Sequence, residues 1–410
     1  MGAGNRSGFR DCLKWLAETD PKWVESNLSS IPEYGRWDDL RELFGTPLEK
    51  IAAKIWGDAI LEKNALAAKW ADRSDKPILK YLRGNGSLKD IGEFRRLLAK
   101  IRKEHIVEHK MCTNNWEQIE YPKVPSVAMN RYTKAFNEHD KERFESFKTK
   151  VEKGETKINA GVLFPHDLAR LVRNGDKKIA DLQFDALPDY IGGTDNRIMV
   201  IVDSSSSMSC GNMGGDVQPI DVSTSLGLYC SDRLGKENPF YRKFMQFASE
   251  SKLSTWEGMS FSQCYSKEIG PYGEMDGGLF DGAIGSTRID KALNSILNHA
   301  KMFNATDEQI PNVLLIISDM QFHEGSSGGS GTEVNNCIDK WVEAGYSRPK
   351  VVYWNVSPYA GSPELSDSND VGLVSGFSPS ILKAVLSCED FTPRGIMLRA
   401  VEKYHINTPQ

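Results

Sequence analysis

Hydrophobic and polar positions follow two different periods along the chain, one in each half. In residues 1–190 apolar side chains recur every three or four positions, as in residues 9–16. In residues 191–410 continuous apolar runs, such as 198–202 and 313–317, take the place of that spacing. The first pattern predicts amphipathic helices. The second predicts strands that are buried on both faces of a parallel sheet.

Turn-forming residues divide the helical half into short segments. Pairs such as Asp20-Pro21 and Ile31-Pro32 interrupt the helical spacing. Helices are predicted at residues 9–16, 48–61, 64–71, 88–108, 131–136 and 141–153. Short helices with such interruptions are typical of stacked helical hairpins. Residues 1–190 are therefore predicted to form a helical-repeat domain of the α-solenoid type, although no fixed-period repeat is visible.

The second half alternates strands with helices. Strands are predicted at residues 198–202, 241–247, 311–317, 351–356 and 371–374, and helices at 222–234, 287–300, 334–343 and 379–387. This order predicts a parallel sheet with helices on both faces. The boundary between the halves is placed near residues 189–193, which gives domains of 1–190 and 191–410. The predicted fold class is an α domain followed by an α/β domain.

Oxygen-bearing side chains cluster at the predicted strand ends and before one helix. They are, in chain order, Asp203, Ser205, Ser207, Thr287 and Asp319. Ligands of open α/β sheets lie at the carboxyl ends of the strands, where both carboxylates fall. Carboxylates and hydroxyls without thiolate or imidazole suit a hard divalent cation, with Mg²⁺ favoured and Mn²⁺ or Ca²⁺ as alternatives. Such a site leaves a coordination position for an outside carboxylate or phosphate.

These five residues resemble the metal-ion-dependent adhesion site of von Willebrand factor A domains. The family's pattern is Asp-x-Ser-x-Ser, then Thr, then Asp, and all five positions match. Ser206 departs from the pattern, because the family usually has Gly there. The resemblance implies a von Willebrand A-like domain over residues 191–410, with an acidic residue of a protein partner at the metal.

A second resemblance concerns the order of the two domains. Residues 31–40, Ile-Pro-Glu-Tyr-Gly-Arg-Trp-Asp-Asp-Leu, are similar to a signature of the Ro autoantigen (TROVE) family, in which a ring of helical repeats precedes a von Willebrand A domain. The similarity is closer to a large uncharacterised family of the same architecture, through residues 116–119, 124–126, 136–144 and 352–356. Ro proteins bind structured and defective RNA on the ring. The resemblance therefore implies an RNA-binding component of a ribonucleoprotein, while the closer family implies no defined activity.

Charge singles out one stretch of the helical half. The formal net charge is −5, with a basic excess in residues 1–190 and an acidic excess afterwards. Residues 76–110 hold ten Lys and Arg against four carboxylates. The candidate nucleic-acid-binding side chains are Arg95, Arg96, Lys100, Arg102 and Lys103. Three of them, Arg96, Lys100 and Lys103, share one helix face that could bind phosphates without sequence readout, and a solvated surface is the alternative.

Other candidates favour structural roles. His105 and His109 lie one helical turn apart, but no third metal ligand is evident. Tryptophans of the helical half could stack bases or pack helices, and packing is favoured. These tryptophans are Trp23, Trp37, Trp56, Trp70 and Trp116.

Composition excludes several classes of protein. No apolar stretch approaches the roughly 20 residues of a membrane span, and residues 1–10 are too polar for a signal peptide. Seven scattered cysteines without a Cys-x-x-Cys pair argue against disulfides and zinc. We therefore expect a cytoplasmic protein with no membrane association.

A non-enzymatic protein is expected. Asp203 could serve as the nucleophile of an Mg²⁺-dependent phosphoryl transfer, but Lys291 and Asp290 begin a helix that would not aim both inward. Phosphate-loop and Ser-His-Asp patterns are absent from the sequence. The favoured function is RNA binding within a ribonucleoprotein, with a metal face for an acidic ligand or partner. The alternative is a metal-dependent protein–protein scaffold or assembly component without RNA binding.

Overall fold

The computed structural model describes residues 6–191, 195–203, 208, 217–247, 251–269, 289–318, 330–356, 371–375, 385, 393–402 and 404. The chain divides into two compact units. The first is Met1–Glu120 together with Glu402–Gln410, and the second is Tyr121–Val401. The predicted boundary near residues 189–193 falls inside the second unit, and it stays a prediction.

Helices of the first unit pack around a buried tryptophan. Trp56 is fully buried, and its indole Nε1 donates a hydrogen bond of 3.0 Å to the carbonyl of Ala67. Leu40 and Phe94 belong to the same core. The α-helices are α1 (Arg6–Thr19), α2 (Pro21–Ser26), α3 (Ser30–Tyr34), α4 (Glu49–Leu61), α5 (Ala65–Trp70), α6 (Lys76–Gly84), α7 (Ile91–His105) and α8 (Val107–Cys112). Two 3₁₀ helices, Trp37–Leu43 and Trp116–Gln118, complete the described elements of this unit.

The second unit begins with four helices and continues into the sheet. These helices are α9 (Ser126–His139), α10 (Lys141–Glu152), α11 (Pro165–Arg173) and α12 (Lys177–Asp185). A 3₁₀ turn at Tyr121–Lys123 precedes them. They belong to the predicted helical half by sequence, yet they share a compact unit with the sheet.

A six-stranded sheet forms the centre of the second unit. Its strands are β1 (Ile198–Asp203), β2 (Lys243–Phe247), β3 (Ser251–Thr255), β4 (Val313–Ser318), β5 (Lys350–Asn355) and β6 (Val371–Ser375). The order across the sheet is β3-β2-β1-β4-β5-β6. Neighbouring strands are parallel except at the edge, where β3 runs antiparallel to β2. The remaining described helices are α13 (Pro219–Asp232), α14 (Phe261–Ile269), α15 (Ile289–Met302), α16 (Ser330–Glu343) and α17 (Pro393–Val401).

Helix α13 is buried on all sides. Every residue from Pro219 to Ser231 is buried, because β1 and β2 cover one side and α11 covers another. A Cβ on Gly227 would lie 3.2 Å from the ring of Phe244, so the missing side chain permits this close approach to β2. On the outer side, the Tyr229 hydroxyl donates a hydrogen bond of 2.6 Å to the carbonyl of Pro188. Segments that precede the sheet in sequence therefore form a layer over α13.

The structure confirms the coarse fold class, helices followed by a mostly parallel sheet with helices. The two strongest predicted strands, residues 198–202 and 313–317, coincide with β1 and β4. Residues 88–108, predicted as one helix, form α7 and α8, because Ile106 adopts an extended conformation between them. The helix predicted at residues 379–387 lies almost entirely outside the described residues. The solenoid and von Willebrand A assignments stay predictions.

Candidate metal centre and nucleic-acid interface

The carboxyl end of the sheet carries a buried carboxylate at its central strand. Asp203 is the last residue of β1 and is fully buried. The hydroxyl of Ser318, the last residue of β4, donates a hydrogen bond of 2.6 Å to Oδ2 of Asp203. The chain proceeds from β1 to one side of the sheet and then returns to β4 on the other side. Ligands of open α/β sheets bind at such a point of strand-order reversal, so Asp203 lies where a site is expected.

Polar residues continue along this edge of the sheet. Ser318 lies opposite Asn355 at the end of β5, and Asn355 lies opposite Ser375 at the end of β6. Asn355 and Ser318 are both buried. Strands β1 and β4 are apolar up to their last residues, so their oxygen-bearing side chains lie at the carboxyl edge.

Most of the predicted metal ligands cannot be placed. Ser205, Ser207, Thr287 and Asp319 lie outside the described residues, so the structure does not assemble the five predicted positions. Their described neighbours in sequence are the end of β1, the start of α15 and the end of β4. Among the described residues, no group of three or more His, Cys, Asp or Glu side chains could hold a metal ion.

Four of the five predicted nucleic-acid-binding side chains are exposed on α7. Arg95, Arg96, Lys100 and Lys103 face solvent, and none of them forms a hydrogen bond or ion pair within the described part of the chain. The apolar residues of the helix, among them Phe94 and Leu98, are buried on the other side. The amphipathic pattern therefore presents the cations outward.

Arg102 has a different environment. Its guanidinium donates to the carbonyls of Ala68, at 2.8 Å, and Ala71. These carbonyls lie at the carboxyl-terminal end of α5, where backbone acceptors lack helical partners. Arg102 thus joins α7 to α5, a role that its sequence neighbourhood does not indicate because the partners are about thirty residues away.

Most acids of residues 76–110 form their hydrogen bonds and ion pairs with groups other than the exposed cationic side chains. Asp90 accepts the backbone N–H of Glu93 at 2.9 Å, while Glu93 accepts the N–H of Lys89 at 2.7 Å. Glu108 pairs with Lys69 at 2.6 Å, outside the basic stretch. Three of the four carboxylates are therefore engaged by the helix start or by a more distant lysine.

Helix α6 carries a second cationic row with the same spacing. Lys76, Lys80 and Arg83 are exposed, at positions i, i+4 and i+7. The backbone N–H of Glu93 lowers the pKa of Asp90, and the charges of Arg96 and Arg83 lower it further. In the sequence, these α6 cations are distinguished only by the basic excess of residues 76–110.

Two of the predicted tryptophans, Trp56 and Trp70, make packing contacts. Trp56 is part of the core, and the guanidinium of Arg36 lies 3.6 Å from the ring centroid of Trp70. The indole of Trp116 donates to the side chain of Asn114 at 2.8 Å. His105 lies 3.8 Å from the carboxylate of Glu104 and is half exposed.

The segment 31–40 that resembles the Ro signature is a buried ionic cluster. Asp39 is fully buried, and it accepts hydrogen bonds from Arg6 at 2.7 Å, Arg10 at 2.8 Å and the backbone N–H of Arg36 at 2.9 Å. Asp38 accepts from Arg10 and Arg36. These contacts bind α1 to the 3₁₀ helix, so the charged residues of the segment stabilise the fold.

The fold and the end of the sheet define an α/β protein with buried polar residues at its strand-order reversal, preceded in sequence by a helical region. The chain belongs to the family described as domain of unknown function DUF7788, whose model matches residues 197–405, just over half of the chain. A second model, domain of unknown function DUF2828, matches residues 89–193. These matches confirm the coarser prediction of an uncharacterised family.

Two proteins are similar over much of the chain. Uncharacterized protein L728 of Acanthamoeba polyphaga mimivirus is 26% identical over 339 residues, which cover 77% of this chain but only 55% of that protein. This chain thus spans about half the length of that curated relative. The crystal structure of the Deinococcus radiodurans Ro (RSR) protein aligns with 96% of this chain and 86% of its own, at 13% identity and a TM-score of 0.44. No described helix has the length and apolar composition to cross a membrane.

Proposed function

We propose that this chain binds RNA through α7 and holds a divalent cation at the carboxyl edge of its sheet. The observation that carries the RNA proposal is the exposed row of Arg96, Lys100 and Lys103, whose side chains form no hydrogen bond or salt bridge with the described residues. The row extends about 10 Å along the helix, given the rise of 1.5 Å per residue. Exposed cations in such a row bind a phosphate backbone and release its counterions, without distinguishing bases.

Reversing the charge of the cationic row on α7 tests the RNA proposal. The triple variant Arg96→Glu, Lys100→Glu and Lys103→Glu should weaken binding equally for two labelled RNAs of unrelated sequence. The slope of log affinity against log salt should fall by about one for each lost phosphate contact. Fluorescence anisotropy at stepped KCl concentrations measures both quantities.

A matched triple variant separates a local effect from net charge. Lys141, Lys150 and Lys153 are exposed lysines of the second unit, and their replacement by Glu changes the charge by the same amount. This control should retain most of the RNA affinity. Equal losses in the two variants, or no RNA affinity of the parent at low salt, would contradict the proposal.

The metal proposal rests on the position of Asp203. A buried carboxylate at the strand-order reversal, with hydroxyl and amide groups beside it, fits a hard cation such as Mg²⁺, Mn²⁺ or Ca²⁺. By resemblance to von Willebrand A domains, Asp203, Ser205, Ser207, Thr287 and Asp319 would hold the ion. The bound cation would have an open coordination position, which a carboxylate of a partner or a phosphate could fill.

Thermal unfolding with and without Mn²⁺ tests the metal proposal. Added ion should raise the Tm of the parent, because binding to the folded state stabilises it by mass action. Asp203→Ala and Asp319→Ala should remove this response. An equal Tm rise in the parent and both variants would show that the ion binds elsewhere.

The second candidate function is metal-dependent protein binding without RNA. It is favoured by the same buried carboxylate, Asp203, since a partner's carboxylate could complete the coordination of an ion held there. This candidate would be favoured if the parent shows no RNA affinity but its Tm still rises with Mn²⁺ in a way that depends on Asp203. In both cases we propose binding and not catalysis.

A further inference from the structure

A single serine lies in the loop between the cationic helices α6 and α7. Ser87 is exposed, and so are Asn85 and Gly86, which precede it. A Cβ added to Gly86 would meet no other described part of the chain within 4 Å, so the loop projects into open space. The backbone N–H of Ser87 donates a hydrogen bond of 3.0 Å to the side chain of Asn85. Its hydroxyl forms no hydrogen bond with the residues that the structure describes, which leaves the oxygen open to a reagent from solvent.

Several other exposed hydroxyls of the first unit are engaged by the backbone. Thr19, Ser26 and Thr113 donate to carbonyls four residues earlier, at 3.0, 3.0 and 2.8 Å. Each of these hydroxyls must give up a hydrogen bond before its oxygen can react. The described contacts of Ser87 impose no such cost, because they involve only its backbone.

Cationic side chains flank Ser87 on both sides. Arg83 lies four residues before it and Lys89 two residues after it, and both are exposed. Residues 83–96 contain four Lys and Arg against two carboxylates. Charge around the acceptor residue is one of the features by which protein kinases select their substrates. The small neighbour Gly86 allows the chain to extend, as binding in a kinase cleft requires.

The start of α7 already stabilises one negative charge. Asp90 lies three residues after Ser87. The backbone N–H of Glu93 is the main cause of the lowered pKa of Asp90, and the charges of Arg96 and Arg83 lower this pKa further. Arginines from both helices therefore favour an anion in this region. A phosphate attracts them more strongly than a carboxylate does, because it carries up to two charges and three acceptor oxygens.

We propose that Ser87 is a phosphorylation site and that its phosphate weakens the binding of RNA to α7. This role rests on the RNA binding proposed above for the row of Arg96, Lys100 and Lys103. The phosphoserine is an anion tethered next to the row, and it occupies a cation that otherwise contacts the RNA backbone. Its charge also repels the phosphates of the RNA.

The reaction is phosphoryl transfer from ATP by a kinase that accepts basic residues around its substrate serine. Oγ of Ser87 attacks the γ-phosphorus of ATP, and the new O–P bond forms as the bond to the bridging oxygen of ADP breaks. The catalytic carboxylate of the kinase takes the hydroxyl proton. The chain described here supplies the acceptor hydroxyl and the flanking cations.

Ser29 provides a matched control in the same unit. It is an exposed serine that precedes α3, and its side chain forms no capping hydrogen bond with that helix. No Lys or Arg lies within six residues of Ser29 in the sequence. A phosphate at this position adds the same charge to the unit without the flanking cations.

Phosphorylation of the folded full-length protein tests the site itself. The probe is ATP with a basophilic kinase selected because it modifies the isolated peptide of residues 80–92, in which Ser87 is the only serine. This kinase should place a phosphate on Ser87 of the folded protein, located by peptide mass spectrometry, and the modified peptide should be absent from Ser87→Ala. An unmodified Ser87 in the folded protein, under conditions that modify the peptide fully, would overturn the site.

RNA affinity tests the effect of the phosphate. Phosphoserine is introduced at position 87 or at position 29 by amber suppression, and fluorescence anisotropy gives the RNA Kd in about 0.1 M KCl. Phosphoserine at position 87 should raise the Kd about tenfold and lower the slope of log affinity against log salt by about one, which corresponds to one lost phosphate contact. Phosphoserine at position 29 should leave the Kd within about twofold of the parent.

The outcomes separate this role from RNA binding itself. If the parent binds RNA and phosphoserine at position 87 leaves the Kd unchanged, or if both positions raise it equally, the inhibitory role is overturned and RNA binding by α7 stands. A parent without RNA affinity at low salt would overturn the RNA proposal, and the inhibitory role with it.

Discussion

Single residues of the first unit show how a charged motif can be structural. Asp38 is buried beside Arg10 and Arg36. Burial disfavours its charged form, but hydrogen bonds from these two arginines outweigh burial and hold the pKa of Asp38 below its ordinary value of 3.8. Charged residues that look functional in the sequence thus stabilise the contact of α1 with the 3₁₀ helix.

Acid should weaken this cluster. Because the folded pKa of Asp38 is lowered, its contribution to stability is present above the ordinary pKa and is lost as the pH falls through the folded value. Asp38→Asn should lower the free energy of unfolding at neutral pH by about 1–3 kcal/mol. It should also reduce the loss of stability on acidification, measured by urea unfolding at several pH values.

Asp11→Asn, an exposed change on α1, controls for the loss of one negative charge. A parent and an Asp38→Asn variant with parallel stability–pH curves would contradict the assigned role.

Among the secondary-structure elements, buried strands with long apolar runs can be predicted from the sequence, whereas exposed or short elements cannot. Strands β1, β4 and β5 each contain a continuous apolar run and are predicted from the sequence. Strand β3 is not predicted, because its sequence, Ser-Lys-Leu-Ser-Thr, is that of a polar edge strand. Helices α2 and α3 are too short to show a helical period. The packing of α11 on α13 was also not predicted, since pairs such as Arg173 and Asp221 leave no local pattern.

The layer over α13 predicts how the chain can be divided. A fragment that begins at residue 121 retains α11 and α12, whereas a fragment that begins at residue 195 exposes the outer side of α13, including Tyr229. The longer fragment should unfold cooperatively. The shorter one should aggregate or bind the dye ANS, because exposed apolar surface does both.

Circular dichroism melts and ANS fluorescence of the two fragments make this comparison. Cooperative unfolding of the fragment that begins at residue 195, without ANS binding, would show that α11 and α12 are dispensable for the α/β fold.

At the scale of the whole molecule, the account assigns different chemistry to the two units. Sequence analysis could predict Asp203 at a strand end and the cationic face of α7, since both follow from local patterns. It could not exclude Arg102 from that face, because its carbonyl partners on and after α5 are distant in sequence. The count of charged residues is limited in the same way. It does not show that Asp90 and Glu93 accept hydrogen bonds from backbone N–H groups at the start of α7.

RNA and the divalent cation are proposed to bind at separate sites, and one set of titrations tests both assignments together. RNA and Mn²⁺ dissociation constants are measured for the parent, for Asp203→Ala and for the triple Glu variant of Arg96, Lys100 and Lys103. We expect Asp203→Ala to lose Mn²⁺ binding and keep the parent's RNA affinity. We expect the triple variant to lose RNA binding and keep the parent's Mn²⁺ affinity. Separate sites would be contradicted if one of these variants lost both RNA and Mn²⁺ binding. They would also be contradicted if both variants kept the parent's affinity for both ligands.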